Sequence, residues 1–165
     1  MVRSYCYVGP ADILKLVNNT SAGFPIRESS NMTNWLKSQF SKNGKIVATF
    51  AVDFDGILLL ADRHSEYVVC SGGKSVLAAG ELVFQNNPDV RIISVTNQST
   101  RYCPDLDCWE SIHSTLSKLG MPFPDSFTPP FVFRRCDTCS QVNIVKDGDF
   151  FCSVCDSELA RSWNF

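Results

Sequence analysis

Two cysteine pairs near the C-terminus, Cys136-Asp-Thr-Cys139 and Cys152-Ser-Val-Cys155, stand twelve residues apart and restrict the fold more than any other feature of this chain. A C-x2-C turn brings two thiols to one point, and two such turns supply the four ligands of one tetrahedral ion. Between them Val142-Asn-Ile-Val145 is patterned as a strand, Lys146-Asp-Gly-Asp149 as a turn and Phe150-Phe151 as the return strand. The expected unit is a zinc ribbon over residues 131–165, with one Zn²⁺ held by Cys136, Cys139, Cys152 and Cys155. Four thiolates leave no open coordination position, so such an ion orders the chain and does not act as a Lewis acid.

The 165 residues, 44% hydrophobic with twelve Phe, suffice for one domain core plus this appendage. Gly9-Pro10 followed by Ala-Asp-Ile-Leu-Lys-Leu-Val predicts a short helix ending around Asn18-Asn19. A second helix is expected to start after Ser30 or Asn31, with Met32, Trp35, Leu36 and Phe40 as its apolar stripe. From Ile46 the pattern is that of strands: residues 46–52 and 57–61 across a two-residue Asp55-Gly56 turn, then Glu66 to Cys70 and Ser75 to Phe84 across Ser71-Gly-Gly-Lys74, then Arg91 to Thr96. Asp107 with Glu110 reads as a capping box for a helix whose face carries Trp109, Ile112, Leu116 and Leu119, ended by Gly120. Pro122, Pro124, Pro129 and Pro130 stiffen the segment that follows. The expected architecture is α+β: a mostly antiparallel sheet of about five strands with two or three helices over residues 1–121, a Pro-rich connector at 122–130, and the ribbon.

Charge narrows the partners. Fifteen Lys+Arg against seventeen Asp+Glu give a formal −2, with no global excess of positive charge to attract phosphate backbones. In the ribbon Arg134, Arg135, Lys146 and Arg161 face Asp137, Asp147, Asp149, Asp156 and Glu158, and Zn²⁺ with four thiolates adds a further negative charge. The expected partner is therefore a protein and not a nucleic acid. No stretch approaches the roughly 18 apolar residues of a membrane span, and no basic segment with a long apolar run opens the chain, so a cytoplasmic location without membrane attachment is expected. A reducing compartment agrees with paired metal-type cysteines, and there the sequons at Asn18, Asn31 and Asn97 carry no glycan. The terminal Trp163-Asn-Phe165 is expected to fold back on its own domain.

The residues able to do chemistry concentrate between His64 and Cys108. His64-Ser-Glu66 has the H-x-E form of a zinc deaminase, with His64, Cys103 and Cys108 as metal ligands and Glu66 as proton shuttle. The order Cys103-Pro104 is reversed relative to that motif, 36 residues separate Glu66 from Cys103, and Glu66 to Cys70 is patterned as extended. A second ion at His64, Cys103 and Cys108 is accordingly not expected. A zinc-dependent deaminase, or another hydrolase acting on a nucleotide or base, stands as the alternative to a recognition protein.

His64-Ser65, Gly73, Ala78-Ala-Gly-Glu81, Asn97-Gln-Ser99, Tyr102 and Pro104 follow one another in an order that resembles a segment of plant calmodulin-binding proteins with an IQ motif, and of related microbial proteins. The resemblance spans residues 64–120 and departs from the family where Ser99-Thr-Arg-Tyr102 stands for Ser-Gly-His-Tyr. This chain has no evident IQ motif. Gly80 before Glu81 in an apolar strand permits close approach of another backbone or a ligand. Glu81, His64, Asn97 and Tyr102 could then meet at one end of the sheet. Acid–base work would fall to His64 with Glu66 or Glu81, and binding to Asn97, Ser99 and Tyr102. Gly73-Lys74-Ser75 lacks the first glycine of a phosphate loop, Asp53 and Asp55 belong to a turn, and His113 lies on the flank of a helix.

Overall fold

The computed structural model describes residues 2–17, 22–39 and 41–165. Its centre is the strand Lys45–Val52 (β2), where Ile46, Ala48, Phe50 and Val52 point to one side and Thr49 and Ala51 to the other, all of them buried. A strand buried on both faces must be internal to a sheet that is covered above and below. β2 pairs with Leu58–Asp62 (β3) on one side and Ala78–Gln85 (β4) on the other; Phe24–Ile26 (β1) flanks β3, and Arg91–Val95 (β5) flanks β4. Every pairing in the order β1-β3-β2-β4-β5 is antiparallel, and the fold is α+β as expected.

Four helices accompany the sheet among the described residues: Ala11–Leu14 (α1), Ser29–Lys37 (α2), Tyr67–Cys70 (α3) and Trp109–Lys118 (α4). α2 begins slightly earlier than expected because Asn31 Oδ1 accepts the Glu28 N–H at 3.2 Å, within a reciprocal capping box. It buries Met32, Trp35 and Leu36, with the Trp35 ring 6.4 Å from Phe84 of β4. Phe40 and the expected helix end at Asn18-Asn19 lie outside the described residues. α4 buries Ile112 and Leu116, and Gly120, at φ 65°, ends the segment. Its cap differs from the expected one. Asp105 accepts the Leu106 N–H at 2.9 Å and adds a 3₁₀ turn, Leu106–Cys108. Asp107 instead takes the Tyr5 hydroxyl and pairs with Arg3 at 3.3 Å.

Three local expectations are corrected. Glu66 to Cys70 forms no strand: Tyr67–Cys70 is one helical turn that drops Val68 and Cys70 into the core, with Ser71 Oγ donating to Val68 O at 2.9 Å. Packing overrides the β preference of Tyr-Val-Val. Gly72 and Gly73, at φ 65° and 77°, then turn the chain away, so no hairpin forms across Ser71–Lys74 and β4 pairs with β2 instead. The fifth strand is β1, where Pro25, without an N–H, is tolerated at the sheet edge. Between β2 and β3, Val52 faces Leu58, so the link is five residues long and not the two-residue turn expected. Asp53 Oδ1 closes it by accepting the Asp55 and Ile57 N–H groups at 3.0 and 2.8 Å. A tight turn does form at Asn43-Gly44, at φ 54° and 73°, and sets Lys42 across from Lys45.

The Pro-rich segment runs beside β5. Pro122 O accepts the Ile92 N–H at 2.9 Å, Val95 O accepts the Thr128 N–H at 2.8 Å, and Phe127 meets Trp109 at 5.0 Å between ring centroids.

Candidate metal centre

The strands Val132–Arg135 (β6) and Val142–Val145 (β7) form an antiparallel ladder with Arg135 opposite Val142. The two cysteine turns that adjoin it have the same construction. Cys136 N–H bonds Gln141 O at 2.9 Å while Cys136 O accepts Ser140 N–H at 2.8 Å; Cys152 N–H bonds Ser157 O at 2.8 Å while Cys152 O accepts Asp156 N–H at 3.0 Å. In each, the residue after the second cysteine, Ser140 or Asp156, has positive φ, 64° or 59°, which lets the chain double back.

These turns bring the sulfurs together. Cys136 and Cys155 Sγ are 3.5 Å apart, Cys139 and Cys152 Sγ 3.6 Å, and all four lie within 4.8 Å of one another. A tetrahedral ion with metal–sulfur bonds of about 2.3 Å requires edges of about 3.8 Å, so the four thiols can hold one metal ion. Against the effect of burial, the N–H groups of Cys155 and Val154 and the Asn143 amide hold the Cys152 thiol down to about 6. Despite an opposing backbone N–H at Gln141, burial and the three other sulfurs push Cys139 up to about 12. Four adjacent thiolates repel, and a bound cation removes that conflict.

Asn143, which the sequence reading did not single out, supports the site. Buried on the inward face of β7, it donates to Cys152 Sγ at 3.5 Å and to Gln141 O at 3.0 Å, and its Oδ1 accepts Ser153 N–H at 3.0 Å. A polar residue at an inward position of an apolar strand was the available signal.

The tail after the second turn closes over the ribbon. Arg134 is buried and donates to Ala160 O, Phe133 O and Arg161 O at 3.0, 2.7 and 2.8 Å. Asn164 accepts the Arg135 N–H at 2.9 Å and donates to Arg135 O at 2.7 Å, much as a neighbouring strand would. The Trp163 indole N–H reaches Cys103 O at 2.8 Å, and its ring meets Tyr5 edge-on at 5.5 Å. The terminal tryptophan therefore folds back onto the body.

Of the body residues considered for chemistry, Glu66 and Glu81 both act on the Tyr67 hydroxyl, while His64 lines a cleft of its own. His64 is exposed, with its N–H on Asp62 Oδ1 at 2.9 Å, in a cleft that neither Glu66 nor Glu81 lines. Glu66 pairs with Arg101 at 3.4 Å, and Glu81 sits on β4 opposite Thr49. Burial, followed by the Glu81, Cys70 and Glu66 side chains, raises the Tyr67 hydroxyl above its usual range. Tyr102 is fully buried, 2.6 Å from Ser71 Oγ and donating to Lys74 O at 2.8 Å; burial pushes its hydroxyl up to about 12. Ser99 is buried and its carbonyl accepts Cys103 N–H at 2.7 Å. Cys103 and Cys108 are buried as well, the first pushed up to about 12 by burial. Among the described residues His64, Cys103 and Cys108 form no metal-holding group; the four ribbon cysteines do.

Asn97 is wholly buried at the junction of body and connector. It donates to Phe131 O at 2.8 Å and Pro104 O at 3.0 Å and accepts the Phe131 N–H at 2.8 Å. Asn97→Ala strands these backbone groups in a dry site and is expected to destabilise the protein by about 2–4 kcal/mol. A lower urea midpoint with metal content unchanged checks this.

Comparison of the chain with protein-family models, curated proteins and solved structures gives no match, so the resemblance over residues 64–120 gains no support there.

Proposed function

We propose that this is a small zinc-ordered protein that acts by recognising another protein through the face of its C-terminal ribbon. The zinc reading rests on the donor set: four thiolates in tetrahedral array suit Zn²⁺, and a saturated shell suits a structural ion. The recognition reading rests on one observation, the surface around the second cysteine turn. Phe151 and Val154, on either side of Cys152, are 56% and 65% exposed. Asp137, Asp147, Asp149, Asp156 and Glu158 are exposed on the same small unit; of its cations Arg134 is buried against carbonyls, Arg161 pairs with Glu158 at 3.2 Å, and Lys146 is exposed, so acids still outnumber exposed bases. An apolar tip in an acidic field suits a basic protein segment carrying an apolar anchor, and repels phosphate backbones.

Phe151→Ser combined with Val154→Ser removes apolar surface and no core contact. Zinc content and thermal midpoint are expected to stay unchanged. Affinity enrichment followed by mass spectrometry is expected to show proteins held by wild type and lost at least about tenfold by the variant, the loss growing with salt. Identical protein sets from wild type and variant would count against recognition at this face.

A further inference from the structure

A second site is lined by no residue of the ribbon. The Asn43-Gly44 turn sets Lys42 and Lys45 as a directly opposed pair, and residues opposite one another in an antiparallel bridge project to the same face. Like charges in that arrangement cost stability, and the fold offers them no relief: among the described residues neither lysine forms an ion pair, nor does Arg63. Arg63 and His64 leave the end of β3 beside this turn, and together with Gln39, Ile46 and Val47 they wall a cleft of about 630 Å³. Among the described residues Asp62 is the single acid lining it, and its Oδ1 already accepts the His64 backbone N–H at 2.9 Å. Three cations therefore face one partly engaged carboxylate, in a chain whose overall charge is −2.

Volume and lining identify the ligand class. The cleft falls within the range of about 300–1,000 Å³ usual for small-molecule sites and is far larger than a bare oxyanion needs. Lysine ammonium groups and a guanidinium are the usual donors to phosphate, while the partly exposed Val47, on the same face of β2 as Lys45, offers an apolar surface beside them. We propose that this cleft binds a phosphorylated small molecule, its phosphate on Lys42, Lys45 and Arg63 and its organic body over Val47. The positive charge is confined to one turn and one strand end and forms no stripe along the surface, so a small phosphate fits it better than a nucleic-acid strand.

The test is a titration of the full zinc-loaded chain, followed by backbone amide NMR, with AMP, glucose 6-phosphate, inorganic phosphate and adenosine. At least one of the two organic phosphates is expected to shift the amides of residues 42–47 and 62–64 at millimolar concentration, inorganic phosphate more weakly, and adenosine not at all. Lys42→Gln with Lys45→Gln, both exposed positions, is expected to raise the dissociation constant at least about tenfold without changing the thermal midpoint. Four results would overturn the assignment. These are no shifts at those amides with either organic phosphate, equal shifts with adenosine, inorganic phosphate binding as tightly as the organic phosphates, or a single-stranded oligonucleotide binding there when neither organic phosphate does.

Discussion

Cys152→Ser is expected to abolish metal binding and to unfold residues 132–161 while the five-stranded sheet stays folded. The ribbon's own core consists of Cys136, Cys152 and Leu159, with Val145, Phe150 and Cys155 packed against them. So small a cluster falls short of the conformational entropy of some thirty residues at about 1–2 kcal/mol each, and the proposed zinc ion is expected to supply the difference. Structural zinc sites of this kind contribute on the order of 10 kcal/mol. Serine at this position removes both a thiolate and the sulfur that accepts the Asn143 and Val154 N–H groups. Amide spectra should lose the dispersed signals of β6, β7 and both cysteine turns and keep those of β2 and β4. A chelator should do the same to the wild type. Acid should too, because the thiolates must be deprotonated to hold the ion. A ribbon that stays folded after Cys152→Ser, or in excess chelator, would show that hydrogen bonds and packing alone hold it.

The second large effect is at Gly80. A Cβ placed there would lie 1.9 Å from Thr96 O, 2.8 Å from Thr96 C and 3.1 Å from Asn97 Cα. All three are backbone atoms and cannot swing aside as a side-chain tip would. The segment after β5 crosses so close to β4 that Thr96 Oγ1 serves the Glu81 N–H at 3.2 Å, while Glu81 O accepts the Thr96 N–H at 3.0 Å. Gly80→Ala must part these strands and displace Asn97, which holds the connector at Phe131. The expected cost is about 3 kcal/mol or more, larger than ordinary overpacking, and the thermal midpoint should fall by roughly 6–12 °C. Calorimetry on the variant checks this; a midpoint within a degree or two of wild type would contradict the close approach.

What the sequence made legible is what depends on neighbours in the chain. The C-x2-C turns carry their own geometry, as do the alternation of Ile46 to Val52 and the helical spacing of Trp109 to Leu119, so the four-cysteine cluster, the central strand and α4 were all readable. Gly80 was recognised as a point of close approach, and the partner proves to be backbone at Thr96. Tyr67 to Cys70 was misread because the β-favouring Tyr67, Val68 and Val69 say nothing of the cavity that Val68 and Cys70 fill. β1 was missed because Phe-Pro-Ile is too short to show a period and is ordered only by pairing with β3. Asn97, Ser99 and Tyr102 looked available for binding in the chain, yet long-range packing buries them, and at Asn97 and Tyr102 saturates their polar atoms at the seam. The Lys42–Arg63 cleft escaped notice for the same reason, since two segments distant in sequence compose it.

The central claim, one structural zinc held by four thiolates, is tested most directly by the metal content of the purified protein. Native mass spectrometry with elemental analysis is predicted to find one zinc per chain, and none after Cys136, Cys139, Cys152 and Cys155 are all replaced by serine. Wild type without metal, or a chain that still retains a zinc ion once those four cysteines are gone, would contradict it.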